Sequence, residues 1–216
     1  TSMMIRVRSS KFIALPLMAI GIAACDNTPP PVGMARGEEL FETCVPCHGE
    51  TGAGNPEIET PAIAGLPQWY IQAQLQSFQE GWRGQHADDI PGLRMRPMAV
   101  TLNREGDIES VAQYVASLDP TFPPSTLHGN AGVGAEQYRA VCVACHGEDG
   151  LGDEVLRVPP IVQIHDWYLL QELENYRSGA RGAHPADTWG ITMRANTVVM
   201  TDQTMQDVIA YVQTLR

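Results

Sequence analysis

The sequence predicts an all-α protein of two tandem domains related by internal duplication. Three observations carry this. Residues recur along the chain at a spacing of 98 positions. Apolar side chains fall at helical intervals, with no alternating run that reads as a strand. A Pro- and Gly-rich link separates the two copies. The repeat is ungapped over most of its length. Trp69-Tyr70 returns as Trp167-Tyr168, Leu75 as Leu173 and Phe78 as Tyr176. Gly81, Arg83, Gly84, His86 and Asp89 return as Gly179, Arg181, Gly182, His184 and Asp187. Gly92, Met95 and Arg96 return as Gly190, Met193 and Arg194. Toward the end the spacing falls to 97, so that Val111, Tyr114, Val115 and Leu118 meet Val208, Tyr211, Val212 and Leu215. A duplication with one residue lost accounts for the whole pattern.

Each copy then divides into helices. The first is expected around residues 36–47 and 135–145. The second is expected over 67–80, where Trp69, Leu75 and Phe78 mark apolar positions, and over 166–178. The last carries the i, i+3, i+4, i+7 pattern in Val111, Tyr114, Val115 and Leu118. Gly- and Pro-rich stretches between these helices are expected to be loops. The link holds Asp119-Pro120-Thr121-Phe122-Pro123-Pro124 and then Gly129 to Gly134, which rules out a continuous helix. The expected domains are therefore 35–118 and 135–216, with a linker over 119–134. Units this small, with so much loop, bury little apolar surface and need a staple.

The first residues differ from the rest. Arg6, Arg8 and Lys11 precede the apolar run Phe12-Ile13-Ala14-Leu15-Pro16-Leu17-Met18-Ala19-Ile20-Gly21-Ile22. This reads as a secretory signal over residues 1–24, with an uncleaved N-terminal anchor as the alternative. Ile22-Ala23-Ala24-Cys25-Asp26 resembles the bacterial lipobox, which implies acylation of Cys25. Asp26 resembles the inner-membrane retention signal of enteric bacteria. Residues 25–34, with three successive prolines, would then be a stiff tether between lipid and protein.

The formal charge is −11, and removal of the signal would make it −14, with every remaining cation an arginine. So acidic a body excludes nucleic-acid binding by phosphate neutralisation. It favours partners with basic docking surfaces, or serves solubility in a salty or acidic niche. The five cysteines divide without remainder: Cys25 to lipid, Cys44 with Cys47, and Cys142 with Cys145. None is left for a disulfide or a thiol nucleophile.

The paired cysteines carry the chemistry. Cys44-Val45-Pro46-Cys47-His48 and Cys142-Val143-Ala144-Cys145-His146 are two copies of the attachment signature for c-type haem. Two thiols at this spacing on a helical turn can form thioethers to the haem vinyl groups. The next histidine then lies under the iron, and the porphyrin becomes the core that the chain alone cannot build. Zinc is the alternative for Cys-x-x-Cys, but an exported chain meets an oxidising compartment, and zinc does not require the adjoining histidine. The far side of each iron needs a ligand that also repeats. Met95 follows His48 by 47 residues, and Met193 follows His146 by 47. Thioether sulfur is a soft ligand that favours ferrous iron. Met98 and Met200 have no methionine partners and read as packing. His86 and His184 repeat as well, so bis-histidine ligation is the rival reading. Arg83, Arg181, Trp69 and Trp167 are candidate contacts for the haem propionates; a surface pair with Asp89 or Asp187 is the other reading of the arginines. His128 and His165 have no matched partners and read as surface or loop residues.

With these motifs in view, the chain resembles a dihaem class I cytochrome c of the cytochrome c4 group. The two cassettes and the stretches 95–102 and 193–200 carry the resemblance, with Met200 standing where the family has a leucine. It implies two packed helical haem domains, two covalently bound haem c groups, and electron transfer rather than catalysis. The implied partners are a quinol-oxidising complex, a terminal oxidase or a dehydrogenase. The signal, Cys25 and Asp26 imply the periplasm, lipid-anchored at the inner membrane, and the lipid cysteine is a departure from that family. An electron-relay subunit of a larger oxidoreductase is the alternative. So is a dihaem enzyme of the peroxidase or thiosulfate dehydrogenase type, the latter requiring a cysteine ligand.

Overall fold

The computed structural model describes residues 32–216, together with residues 1, 2 and 4. Cys25, and nearly all of the expected signal and tether, lie outside the described residues. No helix among the described residues is long and apolar enough to cross a membrane.

The first domain runs through α1 (Met34–Phe41), α2 (Val45–His48), α3 (Gln68–Gln79), α4 (Ile90–Thr101) and α5 (Asp107–Ser117). The second repeats it with α6 (Ala131–Gln137), α7 (Val143–His146), α8 (Asp166–Ser178), α9 (Thr188–Thr197) and α10 (Asp202–Val212). The described residues hold no strand beyond the isolated bridges Asn55–Thr60 and Asp153–Val158, which are themselves repeats of one another.

Two elements depart from the sequence reading. Residues 90–101 and 188–197 fall in the stretches between helices that the sequence reading assigns to loop. They are helices. Asp89 caps α4 by accepting from Gly92 N at 2.9 Å, and Asp187 caps α9 by accepting from Gly190 N at 2.8 Å. Proline in the first turn costs nothing, since those N–H groups lack helical partners anyway. The expected linker is also shorter than 119–134. Asn130 accepts from Gly132 N and Val133 N and starts α6 at Ala131. The glycines that looked like breakers serve packing instead. A Cβ on Gly134 would lie 1.8 Å from Asp207 O, and one on Gly37 would lie 2.1 Å from Ser110 O. Each marks where the first helix of a domain crosses the last at backbone contact.

The first core gathers Phe41, Leu66, Ile71, Leu75, Phe78, Leu102, Val111 and Val115, and it includes Ile164 from the second domain. The second gathers Tyr138, Val162, Val208 and Val212, with Met200 packed against it. Leu102 and Met200 thus fill matching places. The domains are joined through α3 and α8 and through the linker. Asp166 accepts from Leu127 N at 2.8 Å, from Thr126 Oγ1 at 2.9 Å, and from Thr126 N.

Candidate haem sites

Each cassette forms a one-turn helix. Cys44 stands at the N-terminus of α2, with His48 N donating to Cys44 O at 2.8 Å. This turn brings the cassette side chains to one end of a cleft. His48 Nδ1 lies 3.0 Å from Pro61 O, and His146 Nδ1 lies 3.2 Å from Pro159 O. A carbonyl only accepts, so Nδ1 carries the proton and Nε2 is left with its electron pair free to ligate. Burial lowers the pKa of both rings, which keeps them neutral. The same cause pushes the Cys44 thiol up, and the Cys142 thiol up to about 11. The prolines supply these carbonyls through their backbone, a role the side-chain reading missed. Their recurrence 98 residues apart was the available signal.

Met95 lines the same cleft as Cys44, Cys47 and His48. The cleft is walled mainly by apolar side chains. Met98 also lines it, yet is 42% exposed, so it stands at the rim and not in the packed core. Met193 is half-buried on α9, in the same register behind its Asp187 cap as Met95 behind Asp89. His86 and His184 are both exposed, and His86 is not among the residues lining the first cleft. His184 stacks on Trp82 with ring centroids 5.2 Å apart.

The arginines correct the sequence reading. Neither makes a surface pair with Asp89 or Asp187, for Arg83 and Arg181 are buried and both bond Glu172. Their Nε atoms, and the indole Nε1 of Trp167, are buried without a partner. Trp69 does not line the first cleft; Arg157 lies 5.3 Å over its ring. His165 lies in the loop that leads into α8, as one reading had it, but it is not at the surface. It is 5% exposed, and its Nδ1 accepts from Ala62 N of the first domain at 3.0 Å.

The donor set suits a haem. Imidazole and thioether share an apolar cleft, two thiols lie beside them, and Arg83, which lines it, has a buried Nε with no partner. No group of three or more His, Cys, Asp or Glu side chains converges on a metal site among the described residues. The cytochrome c family model matches residues 34–119 and again 132–216. The chain belongs to the cytochrome c family. It is a tandem, cytochrome c4-like member with two covalently bound haem c groups. It is 30% identical to a thiosulfate dehydrogenase electron acceptor of Stutzerimonas stutzeri, over 78% of this chain and 76% of that protein. It is 27% identical to the cbb3-type cytochrome c oxidase subunit FixP of Bradyrhizobium diazoefficiens, over 84% of this chain and 63% of that protein. Among solved structures, the cytochrome c4 of Acidithiobacillus ferrooxidans superposes with a TM-score of 0.65 at 27% identity, covering 80% of this chain and 99% of that one.

Proposed function

We propose that this cytochrome carries single electrons between respiratory complexes, towards a terminal oxidase. The observation that supports it best is the arrangement of the first cleft, where His48 and Met95 share one cavity and their repeats stand in the same register. Cys44 and Cys47, and Cys142 and Cys145, would hold the two haems by thioether bonds. His48 with Met95, and His146 with Met193, would close both faces of each iron. Arg83, Arg181 and Trp167 would donate their free N–H groups to propionate carboxylates, and Trp69 remains a candidate for the same role. Bound haem supplies a one-electron Fe(III)/Fe(II) couple. The chain's own residues hold it in an apolar cleft, keep both imidazoles neutral and exclude a sixth ligand from solvent. One electron enters and one leaves, with no bond made or broken.

The acidic body, at −11, fits basic docking faces on donor and acceptor. Acylation at Cys25 would hold the carrier at the periplasmic face of the inner membrane. A second reading is electron acceptor to a dehydrogenase, favoured by the likeness to the Stutzerimonas protein. A thiosulfate-oxidising enzyme finds less support, since all four described cysteines sit in the cassettes. The test is the reduced holoprotein under carbon monoxide. A carrier with both faces closed keeps its absorption spectrum and passes electrons to an oxidase-containing membrane. Spectral change with carbon monoxide, or unaided oxidation of thiosulfate, overturns the reading.

A further inference from the structure

Where α3 meets α8, the duplication places like residues across a local twofold. Tyr70, Gln74 and Arg83 have Tyr168, Glu172 and Arg181 as their counterparts, and the arginines bond crosswise. Arg83 donates to Gln74 Oε1 at 2.7 Å, to Glu172 Oε2 at 2.8 Å and to Tyr168 OH at 3.2 Å. Arg181 donates to Gln74 Oε1 at 2.7 Å and to Glu172 Oε2. Each guanidinium therefore bridges both domains, and both use the same two acceptors. The symmetry fails in charge at the shared acceptor, which is an amide in the first domain and a carboxylate in the second; Arg83 alone also reaches a tyrosine hydroxyl.

The difference in charge is buried. Arg83, Arg181 and Glu172 are 4%, 7% and 7% exposed. Burial pushes the Glu172 carboxyl up, but the two guanidiniums outweigh it and hold the group below the usual range, so it stays ionised. Asn175 Nδ2 adds a further donor at 3.2 Å. Glu172 and Tyr168, though part of the second domain, line the cleft of the first. The seam thus carries two buried cations and the Glu172 carboxylate between them, beside the cleft that holds Met95; the buried Asp89 carboxylate, which accepts from Asn175 Nδ2 at 3.4 Å, lines that cleft as well.

We propose that Glu172 is a positioning residue for electron exchange, which fixes both arginines at the seam and makes the two haem environments electrostatically unequal. Gln74 accepts from the same two guanidiniums without the charge. This rests on the two-haem reading above. A fixed carboxylate in a poorly screened site favours ferric over ferrous iron, and it acts more strongly on the nearer centre. The local twofold makes the consequence testable without deciding which centre that is. Moving the carboxylate to the mirror position exchanges its two distances.

The experiment is a redox titration of the holoprotein, with the haem signals assigned to each domain by proton NMR contacts to that domain's residues. Glu172→Gln removes the anion and raises both midpoint potentials by unequal amounts. The exchange Gln74→Glu with Glu172→Gln keeps the total charge and leaves an oxygen acceptor for the two guanidiniums at each position, so it disturbs the seam less than Glu172→Gln alone. It shifts the two potentials in opposite directions by similar amounts. A residue that merely holds the domains together would leave both potentials unmoved in the exchange. That result, or two shifts of the same sign, overturns the proposal. A preparation without two haems fails the underlying reading instead, before any potential is read.

Discussion

In the first domain Arg94, which adjoins Met95, donates to Ile58 O at 2.8 Å and pairs with Glu59 at 3.2 Å. The pair straps the loop over residues 56–59 to α4. In the second domain the same positions are Thr192 and Arg157, and no such strap forms. Arg157 reaches instead over Trp69 of the first domain. Trp82 of the first domain stacks on His184, whereas its counterpart is Ala180. The paired thiols, the histidine with its proline carbonyl, and the methionine behind its aspartate cap are alike in both halves. Divergence after duplication therefore lies at the rims and the seam, and the candidate ligand residues stay the same. Two centres of one kind sit in unequal surroundings.

The largest test of that equivalence is removal of one cassette. Cys44→Ala with Cys47→Ala should halve the haem and iron per chain and unfold the first domain, as should the matching pair Cys142→Ala with Cys145→Ala in the second. Next come the helix crossings. Gly37→Ala and Gly134→Ala each force a methyl against backbone and should destabilise their own domain by up to about 3 kcal/mol in thermal unfolding. Similar losses sharpen the comparison, and a neutral effect in either half breaks it. Asp166 has no carboxylate counterpart, since the first domain holds Gln68 there. Burial pushes its carboxyl up, but hydrogen bonds from Leu127 and Thr126 hold it below the usual range. Its folded pKa is thus depressed. Its contribution is complete above an unfolded value of about 3.9 and is lost as pH falls through the folded one. Asp166→Asn should cost about 2 kcal/mol at neutral pH and flatten that acid limb. Smallest is the exposed strap, where Arg94→Ala should cost under about 1 kcal/mol.

Much of this architecture was legible in the residues. Cys-x-x-Cys-His is a covalent signature, and its doubling at 98 gave the domains, the cofactors and the register of Met95 and Met193. The helices over 90–101 and 188–197 were hidden because glycine and proline signal turns, while the caps that start these helices act through Asp89 and Asp187. Glu172, Gln74 and His165 were hidden for another reason. Their partners lie across the seam, up to 107 residues away, and no local pattern marks a contact between domains.

The most direct test of the central claim is the near-infrared absorption of the oxidised holoprotein, where methionine sulfur on ferric haem gives a weak band. Two equivalent His/Met centres predict that band at the strength of two haems, reduced by half in Met95→Ala and by half in Met193→Ala. Its absence from the unaltered protein, or its complete loss with either single substitution, would contradict the account.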